Sequence, residues 1–173
     1  MNYVQGILKG DSAEKGTLPY SMKPLDLRPL VEEVAEKQKE FAEKKGLVFN
    51  TAITSGNYNI VGDATQLHEA IRNLIDNSIN YTPTGSISVS LSRTDKSIQI
   101  KVKDTGVGLS EDDKSKLFKS GGRGANSLKT NINATGYGLV FVKSVIEAHK
   151  GRVWAKSDGV SKGSLFVIEL PRP

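Results

Sequence analysis

Apolar residues recur at helical spacing in three segments of the chain, residues 28–45, 63–81 and 136–150. Side chains three or four residues apart share one face of a helix, so each segment predicts an amphipathic helix. In the first segment the predicted stripe consists of Leu30, Val31, Val34, Ala35 and Phe41. In the second segment it consists of Leu67, Ile71, Leu74, Ile75 and Ile79. Asp63 with Gln66 matches a capping-box pattern at the start of the second helix.

Alternating apolar and polar residues predict the strands. The predicted strands are residues 47–53, 58–61, 86–92, 98–103, 152–156 and 164–170. We expect the second to be a short partner of the first across a Ser-Gly-Asn turn, and each later pair to form an antiparallel hairpin. We expect Ser110 to cap a short helix that extends to Phe118. This order predicts an α+β fold, a two-layer α/β sandwich with three main helices on one face of a mixed, mostly antiparallel sheet.

Length and composition favour one globular domain with a short appendage. The chain has 173 residues, of which 37% are apolar and 25% charged. It has no cysteine, which excludes disulfides and thiolate metal sites and fits a reducing compartment. No apolar run reaches the roughly 18 residues that a membrane span needs. Residues 1–24 are broken by glycines and prolines and lack a signal-peptide pattern, which favours a tail or linker.

The charge pattern favours an ordinary solvated surface. The net charge is +5, but lysines and arginines are interleaved with acidic residues. Aromatic residues make up only 6% of the chain, so we rank nucleic-acid binding last.

Two asparagines on the second predicted helix are candidate metal ligands. Asn73 and Asn77 are one turn apart and share a face. Amide oxygens are hard ligands that could hold Mg²⁺ together with water and phosphate oxygens. Taken alone, the pair also fits a solvated helix surface.

A glycine-containing loop, residues 104–109 (DTGVGL), directly follows a strand. Gly106 and Gly108 allow close backbone approach or positive φ, and Asp104 at the strand end could accept a hydrogen bond from an exocyclic amine. A plain turn would need the same residues. The loop is neither a Walker loop nor a GxGxxG fingerprint.

A second glycine motif, residues 135–139 (TGYGL), opens the last predicted helix. Glycines at a helix start expose N–H groups at the positive end of the helix dipole, which suits phosphate, although a plain junction explains them equally well. The preceding residues, 119–134, form a long polar stretch of the kind that is usually functional or disordered.

Taken in order, these motifs resemble the catalytic domain of sensor histidine kinases. Residues 68–83 resemble the N box, 104–109 the first glycine box, 116–118 the F box, and 135–151 the second glycine box with its helix. The resemblance covers roughly residues 25–171. It implies a Bergerat-type fold and ATP site, shared with gyrase, mismatch-repair and chaperone ATPases.

The resemblance also implies roles for individual residues. Asn77 would coordinate Mg²⁺ with support from Asn73, and both would serve catalysis. Asp104 would bind the adenine amino group, and Tyr81 would pack on the adenine ring. Residues 119–134 would form a lid over ATP. The remaining implied nucleotide contacts are Asn80, Gly106, Gly108, Leu109, Phe118, Arg123, Lys129, Thr135, Gly136, Tyr137, Gly138 and Leu139.

Two positions depart from the family pattern. Asn80 stands where the family often has a lysine or arginine, which removes a charge partner for the phosphates. Ala134 stands where the second glycine box usually begins with glycine, and alanine disfavours positive φ. Both departures could weaken nucleotide binding.

The resemblance implies phosphoryl transfer from ATP to a histidine on a separate dimerisation domain. Hydrolytic relatives carry a glutamate base where this chain has Asn73, and Glu69 is the only nearby fallback. His68 and His149 lack the context of a phosphoacceptor, and we expect His149 to be a cation at a helix end or a surface group. The isolated chain should therefore bind Mg²⁺-ATP without phosphorylating itself.

Residues 1–24 would be a linker or a remnant of the dimerisation hairpin, and residues 25–173 the catalytic domain. The implied partners are that hairpin and a downstream response regulator. We expect a monomeric, cytoplasmic fragment without membrane contact, whose parent kinase could be anchored in the inner membrane. The alternatives are a nucleotide-binding regulatory module with little or no catalysis, and a serine kinase of the anti-sigma type.

Overall fold

Three long helices cover one face of a five-stranded sheet, as the sequence predicts. The computed structural model describes residues 19–119 and 138–172 of the chain. The helices are α1 (Leu27–Lys44), α2 (Ala64–Asn80), α3 (Glu111–Lys116) and α4 (Gly138–Ala148). The strands are β1 (Lys23–Asp26), β2 (Val48–Ile53), β3 (Asn59–Gly62), β4 (Ser86–Arg93), β5 (Ser97–Asp104), β6 (Arg152–Lys156) and β7 (Ser164–Pro171).

The strand order in the main sheet is β2-β4-β5-β7-β6. Only the β2–β4 pair is parallel. The alternating strands bury one face: Ile87, Val89 and Leu91 of β4 are fully buried, whereas the serines between them are half-buried. The core therefore lies between this face and helices α1, α2 and α4. Within the described residues, no helix is both long enough and apolar enough to cross a membrane.

The predicted pairing of β3 with β2 is wrong. β3 pairs antiparallel with β1 in a separate two-stranded sheet, with Val61 opposite Pro24. The cause is Tyr58, which is fully buried and whose hydroxyl donates to the carbonyl of Thr54 at 3.1 Å. The Tyr58 carbonyl accepts the Leu27 N–H, so the chain is drawn toward the start of α1 instead of back along β2.

Helix α1 departs from its predicted stripe at one position. Leu30, Val31 and Val34 are buried as expected, but Phe41 is 59% exposed. Its ring lies beneath the Lys44 ammonium group, which is 5.8 Å from the ring centroid. Phe41 therefore packs against its own helix surface and not in the core.

Only half of the capping box predicted at α2 is formed. Asp63 is the N-cap, and its carboxylate accepts the Gln66 N–H at 3.0 Å. The Asp63 N–H donates instead to Nε2 of His149, at 2.9 Å. A distant residue thus provides the acceptor that the local motif assigns to Gln66.

Candidate functional site

The Asp104 carboxylate lies at the end of β5 and is only 4% exposed. Its Oδ1 accepts the N–H of Gly106 at 2.9 Å and the N–H of Ser164 at 3.1 Å. Both backbone bonds are made to Oδ1, so the glycine loop and the start of β7 fix this oxygen, whereas Oδ2 is the oxygen that could accept from a ligand.

Burial raises the pKa of the Asp104 carboxyl group, while the two backbone N–H groups and the nearby Ser78 hydroxyl act in the opposite direction. Ser78 is fully buried on α2, and its hydroxyl lies near the Asp104 carboxylate without a hydrogen bond of good geometry. The end of β5 and the last turns of α2 therefore bring a buried carboxylate and a buried hydroxyl together.

The first glycine loop is held against the end of α2. The Val107 N–H donates to the Tyr81 carbonyl at 3.0 Å. A Cβ on Gly106 would lie 2.2 Å from that carbonyl oxygen, far inside contact distance. Gly106 is thus required for this close approach, which fixes Asp104 beside the C-terminal half of α2.

Gly108 has φ +70°, and a Cβ there would lie 2.1 Å from the carbonyl oxygen of Gly159. The loop between β6 and β7 lies directly against the glycine box. The Ser161 N–H donates to the Val107 carbonyl at 2.7 Å, and the Gly163 N–H donates to the Gly106 carbonyl at 3.1 Å. The glycine box therefore contacts the end of α2 on one side and the β6–β7 loop on the other.

The residues of the β6–β7 loop that contact the glycine box are not predicted from the sequence. Ser157 Oγ accepts the Leu109 N–H at 3.0 Å and donates to the Gly163 carbonyl at 2.6 Å. Ser164, which binds Asp104, follows directly after Gly163. The only local signal is a pair of glycines, Gly159 and Gly163, within the closing hairpin. Their positive φ values fit the turn but do not reveal which loop it contacts.

Asn73 and Asn77 are half-buried on the polar flank of α2, and Asn77 directly precedes Ser78. Tyr81, at the C-cap of the same helix, is also half-buried, whereas Asn80 is exposed. Asn73, Asn77 and Tyr81 thus lie on the C-terminal half of α2, and the loop that follows Asp104 contacts the end of this helix at Tyr81.

A lysine from another element lies at this end of α2. The Lys45 ammonium donates to the Ile79 carbonyl at 2.6 Å and to the Asn80 carbonyl at 3.3 Å. A cation at a helix C-terminus is favoured by the helix dipole. Burial lowers the pKa of Lys45.

The fallback base, Glu69, belongs to an ion-pair network on α2. The Arg72 guanidinium lies 3.0 Å from Glu69 and 2.6 Å from Asp76. Burial raises the pKa of Asp76 above its usual value, although the Arg72 charge acts in the opposite direction. Because Glu69 is engaged with Arg72, it is poorly suited to take a proton from water.

Helix α4 lies along α2. The two helices pack together, and α2 begins beside His149, just where α4 ends, so they run antiparallel. From His149 back to Gly138 and from Asp63 forward to Leu74 are equal numbers of residues, roughly 16 Å at the helical rise. The first described turn of α4 therefore lies level with the asparagine pair. A Cβ on Gly138 would meet nothing within 4 Å, and Leu139 is half-buried.

The remaining predicted contacts lie at the edges of the described residues or beyond them. Phe118, after α3, is half-buried and packs against the core, as does Leu117. Arg123, Lys129, Ala134, Thr135, Gly136 and Tyr137, and the predicted lid after Lys119, lie outside the described residues.

The expectation for His149 is wrong. It is neither a surface group nor an exposed helix-end cation, because only 6% of it is exposed and both ring nitrogens are hydrogen-bonded. His68 is half-buried on α2, with Nδ1 3.9 Å from the Glu69 carboxylate.

The Gly106 contact leads to a testable expectation. Gly106→Ala should lower the free energy of unfolding by about 2 kcal/mol or more, because the new methyl group would collide with the Tyr81 backbone. Urea denaturation measures this loss. Gly138→Ala is the matched control, since nothing lies within 4 Å of its added Cβ. Equal losses in the two variants would contradict the close approach.

Comparison with known proteins places the chain among ATPases of one family. The model of the family described as histidine kinase-, DNA gyrase B- and HSP90-like ATPase matches residues 62–173. The sensor-like histidine kinase SenX3 of Mycobacterium tuberculosis is 34% identical over 154 residues, which cover 87% of this chain and 37% of SenX3. The signal transduction histidine-protein kinase BaeS of Escherichia coli is 30% identical over 160 residues, covering 92% of this chain and 34% of BaeS.

The chain thus spans little more than a third of these curated relatives. Among solved structures, full-length ShkA in complex with AMPPNP superposes with a TM-score of 0.81 at 24% identity. The match covers 98% of this chain and 35% of ShkA. At this identity the likeness concerns the fold, which agrees with the predicted two-layer α/β sandwich.

Proposed function

The chain belongs to the family of histidine kinase-, DNA gyrase B- and HSP90-like ATPases, and from this we propose that it is the ATP-binding catalytic domain of a two-component sensor histidine kinase. It transfers the γ-phosphate of ATP to a histidine on a separate dimerisation domain. The observation that carries the proposal is the buried Asp104 carboxylate, which keeps one oxygen for a ligand beside the asparagine-bearing end of α2.

We assign the nucleotide contacts on that geometry. Asp104 Oδ2 accepts from the adenine amino group, and Tyr81 packs on the ring. The start of α4, level with Asn73 and Asn77, offers its N–H groups to the phosphates. The crystal structure of ShkA with AMPPNP supports a nucleotide site in this fold.

The residues present fit a magnesium ion. Asn73 and Asn77 supply neutral amide oxygens of the kind that hard cations accept, and phosphate oxygens and water complete such a site. The bound ion would neutralise charge on the phosphates. Asn77 is the primary ligand in this proposal, and Asn73 supports the metal or the triphosphate.

The proposal favours transfer over hydrolysis. Water attack needs a base near the metal, but Asn73 is a neutral amide and Glu69 is paired with Arg72. Phosphoryl transfer asks the protein mainly for positioning and charge neutralisation. We place the acceptor on another domain, because His149 is buried and bonded at both nitrogens and half-buried His68 lies beside Glu69.

The remaining proposals concern the domain bounds, the partners and the location of the whole protein. Residues 25–173 are proposed as the catalytic domain, with the ATP lid at about 119–134 and residues 1–24 as linker or hairpin remnant. Its partners are the dimerisation domain and a response regulator, on the cytoplasmic side of any membrane anchor. Tyr20 and Ser21, within the proposed linker, pack on the domain.

Radiolabelled ATP tests the proposal. The chain alone should incorporate no acid-labile phosphate, whereas a separately supplied helical-hairpin domain bearing the acceptor histidine should become labelled in its presence. Asn77→Ala should abolish most of that transfer. Labelling of the isolated chain would contradict the proposed division of labour between the two domains.

One observation favours a second candidate, a nucleotide-binding module without effective catalysis. Asn80 is exposed and leaves the phosphates without the cation that the family often supplies there. This alternative predicts calorimetric binding of an ATP analogue with Mg²⁺ but no transfer to the hairpin domain.

A further inference from the structure

His149, which follows α4, is held by two hydrogen bonds. Its Nε2 accepts the backbone N–H of Asp63 at 2.9 Å, and its Nδ1 lies 2.7 Å from the Val145 carbonyl. Because a backbone N–H can only donate, Nε2 carries no proton, and Nδ1–H donates to Val145. These two bonds hold the ring in one tautomer and one orientation.

Asp63 connects this contact to the segment before β1, which contains Ser21. Its carboxylate accepts the Gln66 N–H at 3.0 Å and the Ser21 N–H at 2.8 Å. Burial raises the pKa of Asp63, but hydrogen bonds from the backbone N–H groups of Ser21, Gln66 and Thr65 outweigh that effect and bring the pKa below its usual value. The carboxylate is thus ionised at neutral pH and holds Ser21 in place.

The segment before β1 packs on the same point. The Tyr20 ring meets the His149 ring edge-on, with centroids 6.0 Å apart. Gly62, at the end of β3, leaves room for the imidazole, since a Cβ there would lie 3.0 Å from His149 Cδ2. The chain ahead of the domain, the start of α2 and the end of α4 therefore converge on one buried ring.

This contact joins the end of α4 to the start of α2. With His149 beside Asp63, the start of α4 lies about level with Asn73 and Asn77. A slip of one residue would move one helix by about 1.5 Å and turn its side chains by about 100°. Errors of about 1 Å in a reacting geometry can cost about 100-fold in rate.

We propose that His149 is a positioning residue of the phosphoryl-transfer site, which locks α4 in register with α2 and, through Asp63, couples that register to the chain segment at Tyr20 and Ser21. The inference rests on the proposed function, because the site that it positions is the nucleotide site. An ordinary buried histidine would contribute stability alone, and a nucleotide at the far end of α2 would not sense it.

Hydrogen exchange of the wild-type protein is the first test. The amides of Ser21 and Asp63 are both bound within the cluster, so they report directly on it. A saturating non-hydrolysable ATP analogue with Mg²⁺ should slow their exchange about fivefold. The Thr94 amide, bonded to Ser97 in the β4–β5 turn, is the internal control and should not change.

Two variants form the second test. His149→Phe keeps a ring but removes both hydrogen bonds, whereas His149→Gln keeps an acceptor near the position of Nε2. At saturating ATP, His149→Phe should lower transfer to the hairpin domain about 10-fold, and His149→Gln should restore most of it. Tyr58→Phe, which removes a buried hydroxyl bonded to Thr54 at the β2–β3 turn, is a destabilised control that should keep the wild-type rate.

The possible results distinguish an error in the role of His149 from an error in the proposed function. If the wild-type chain binds no nucleotide, the proposed function itself is wrong. If it binds nucleotide but exchange at Ser21 and Asp63 is unchanged, only the inference is overturned. A wild-type transfer rate in folded His149→Phe overturns it as well, and the exchange experiment decides if that variant does not fold.

Discussion

Asp104→Asn is expected to lower the affinity for ATP about 30-fold or more while leaving the protein at least as stable as the wild type. The asparagine oxygen can still accept the N–H groups of Gly106 and Ser164, so the loop keeps its structure. Its NH₂ group, however, would replace Oδ2 and face the amino group of adenine, donor against donor. Calorimetric titration with an ATP analogue and thermal unfolding measure the two effects.

The stability and the affinity should respond in opposite directions because Asp104 is buried. Burial raises its pKa, which means that the ionised carboxylate is disfavoured in the folded protein above that pKa. Asparagine removes this cost at neutral pH. For the same reason, wild-type affinity for ATP should fall as the pH drops through the raised pKa, while the variant shows no such step.

A second variant and a second nucleotide distinguish adenine recognition from a general effect of losing a carboxylate. Asp76→Asn also removes a carboxylate whose pKa is raised by burial, but half-buried Asp76 pairs with Arg72 and not with the glycine loop. It should leave ATP affinity near wild type. Asp104→Asn should also lose its preference for ATP over inosine triphosphate, whose base carries a carbonyl oxygen, a hydrogen-bond acceptor, in place of the adenine amino group. Equal affinity losses in the two variants would argue against adenine recognition by Asp104.

Asn77→Ala is expected to weaken ATP binding about 10-fold in the presence of Mg²⁺ and much less in its absence. The amide oxygen matters chiefly as a metal ligand in this account, so removing it should erase most of the benefit of the metal. Titrations with Mg²⁺ and with a chelator give the two affinities.

Asn77→Asp retains an oxygen ligand and should preserve the magnesium dependence. Asn50→Ala, on the exposed face of edge strand β2, is the control for loss of an amide elsewhere. An equal loss for Asn77→Ala with and without Mg²⁺ would show that the side chain contacts the nucleotide and not the ion.

Local periodicity was sufficient for most of the architecture. The stripe on α2 and the alternation on β4 depend on neighbours within one element, and both are buried as predicted. The same holds for the Ser110 cap of α3, where Asp113 completes the capping box. Such signals need no knowledge of distant parts of the chain.

Non-local contacts account for the errors. The partner of β3 depends on where buried Tyr58 lies, which no strand pattern encodes. The second half of the α2 cap comes from His149, 86 residues away. The predicted helix-end role of His149 was wrong because its neighbours, Tyr20 and Asp63, are far away in sequence.

Only the part of the candidate site that lies in short sequence motifs could be predicted. Asp104, Gly106 and the asparagine pair stand in short motifs that indicate their chemistry. Ser157 and Ser164 lie in an ordinary hairpin loop, and they reach the glycine box only because β7 pairs with β5. Supporting residues of this kind become visible once the sheet order is known.

In the proposed site, the end of β5, the C-terminal half of α2 and the start of α4 contact one and the same ligand. Titrating isotope-labelled protein with Mg²⁺ and a non-hydrolysable ATP analogue, followed by amide NMR, tests it most directly. We expect the largest shifts to fall together on the side-chain amides of Asn73 and Asn77 and the backbone amides of Gly106, Ser164 and Gly138. Shifts confined to one of these elements, or clustered on the opposite face of the sheet, would contradict it.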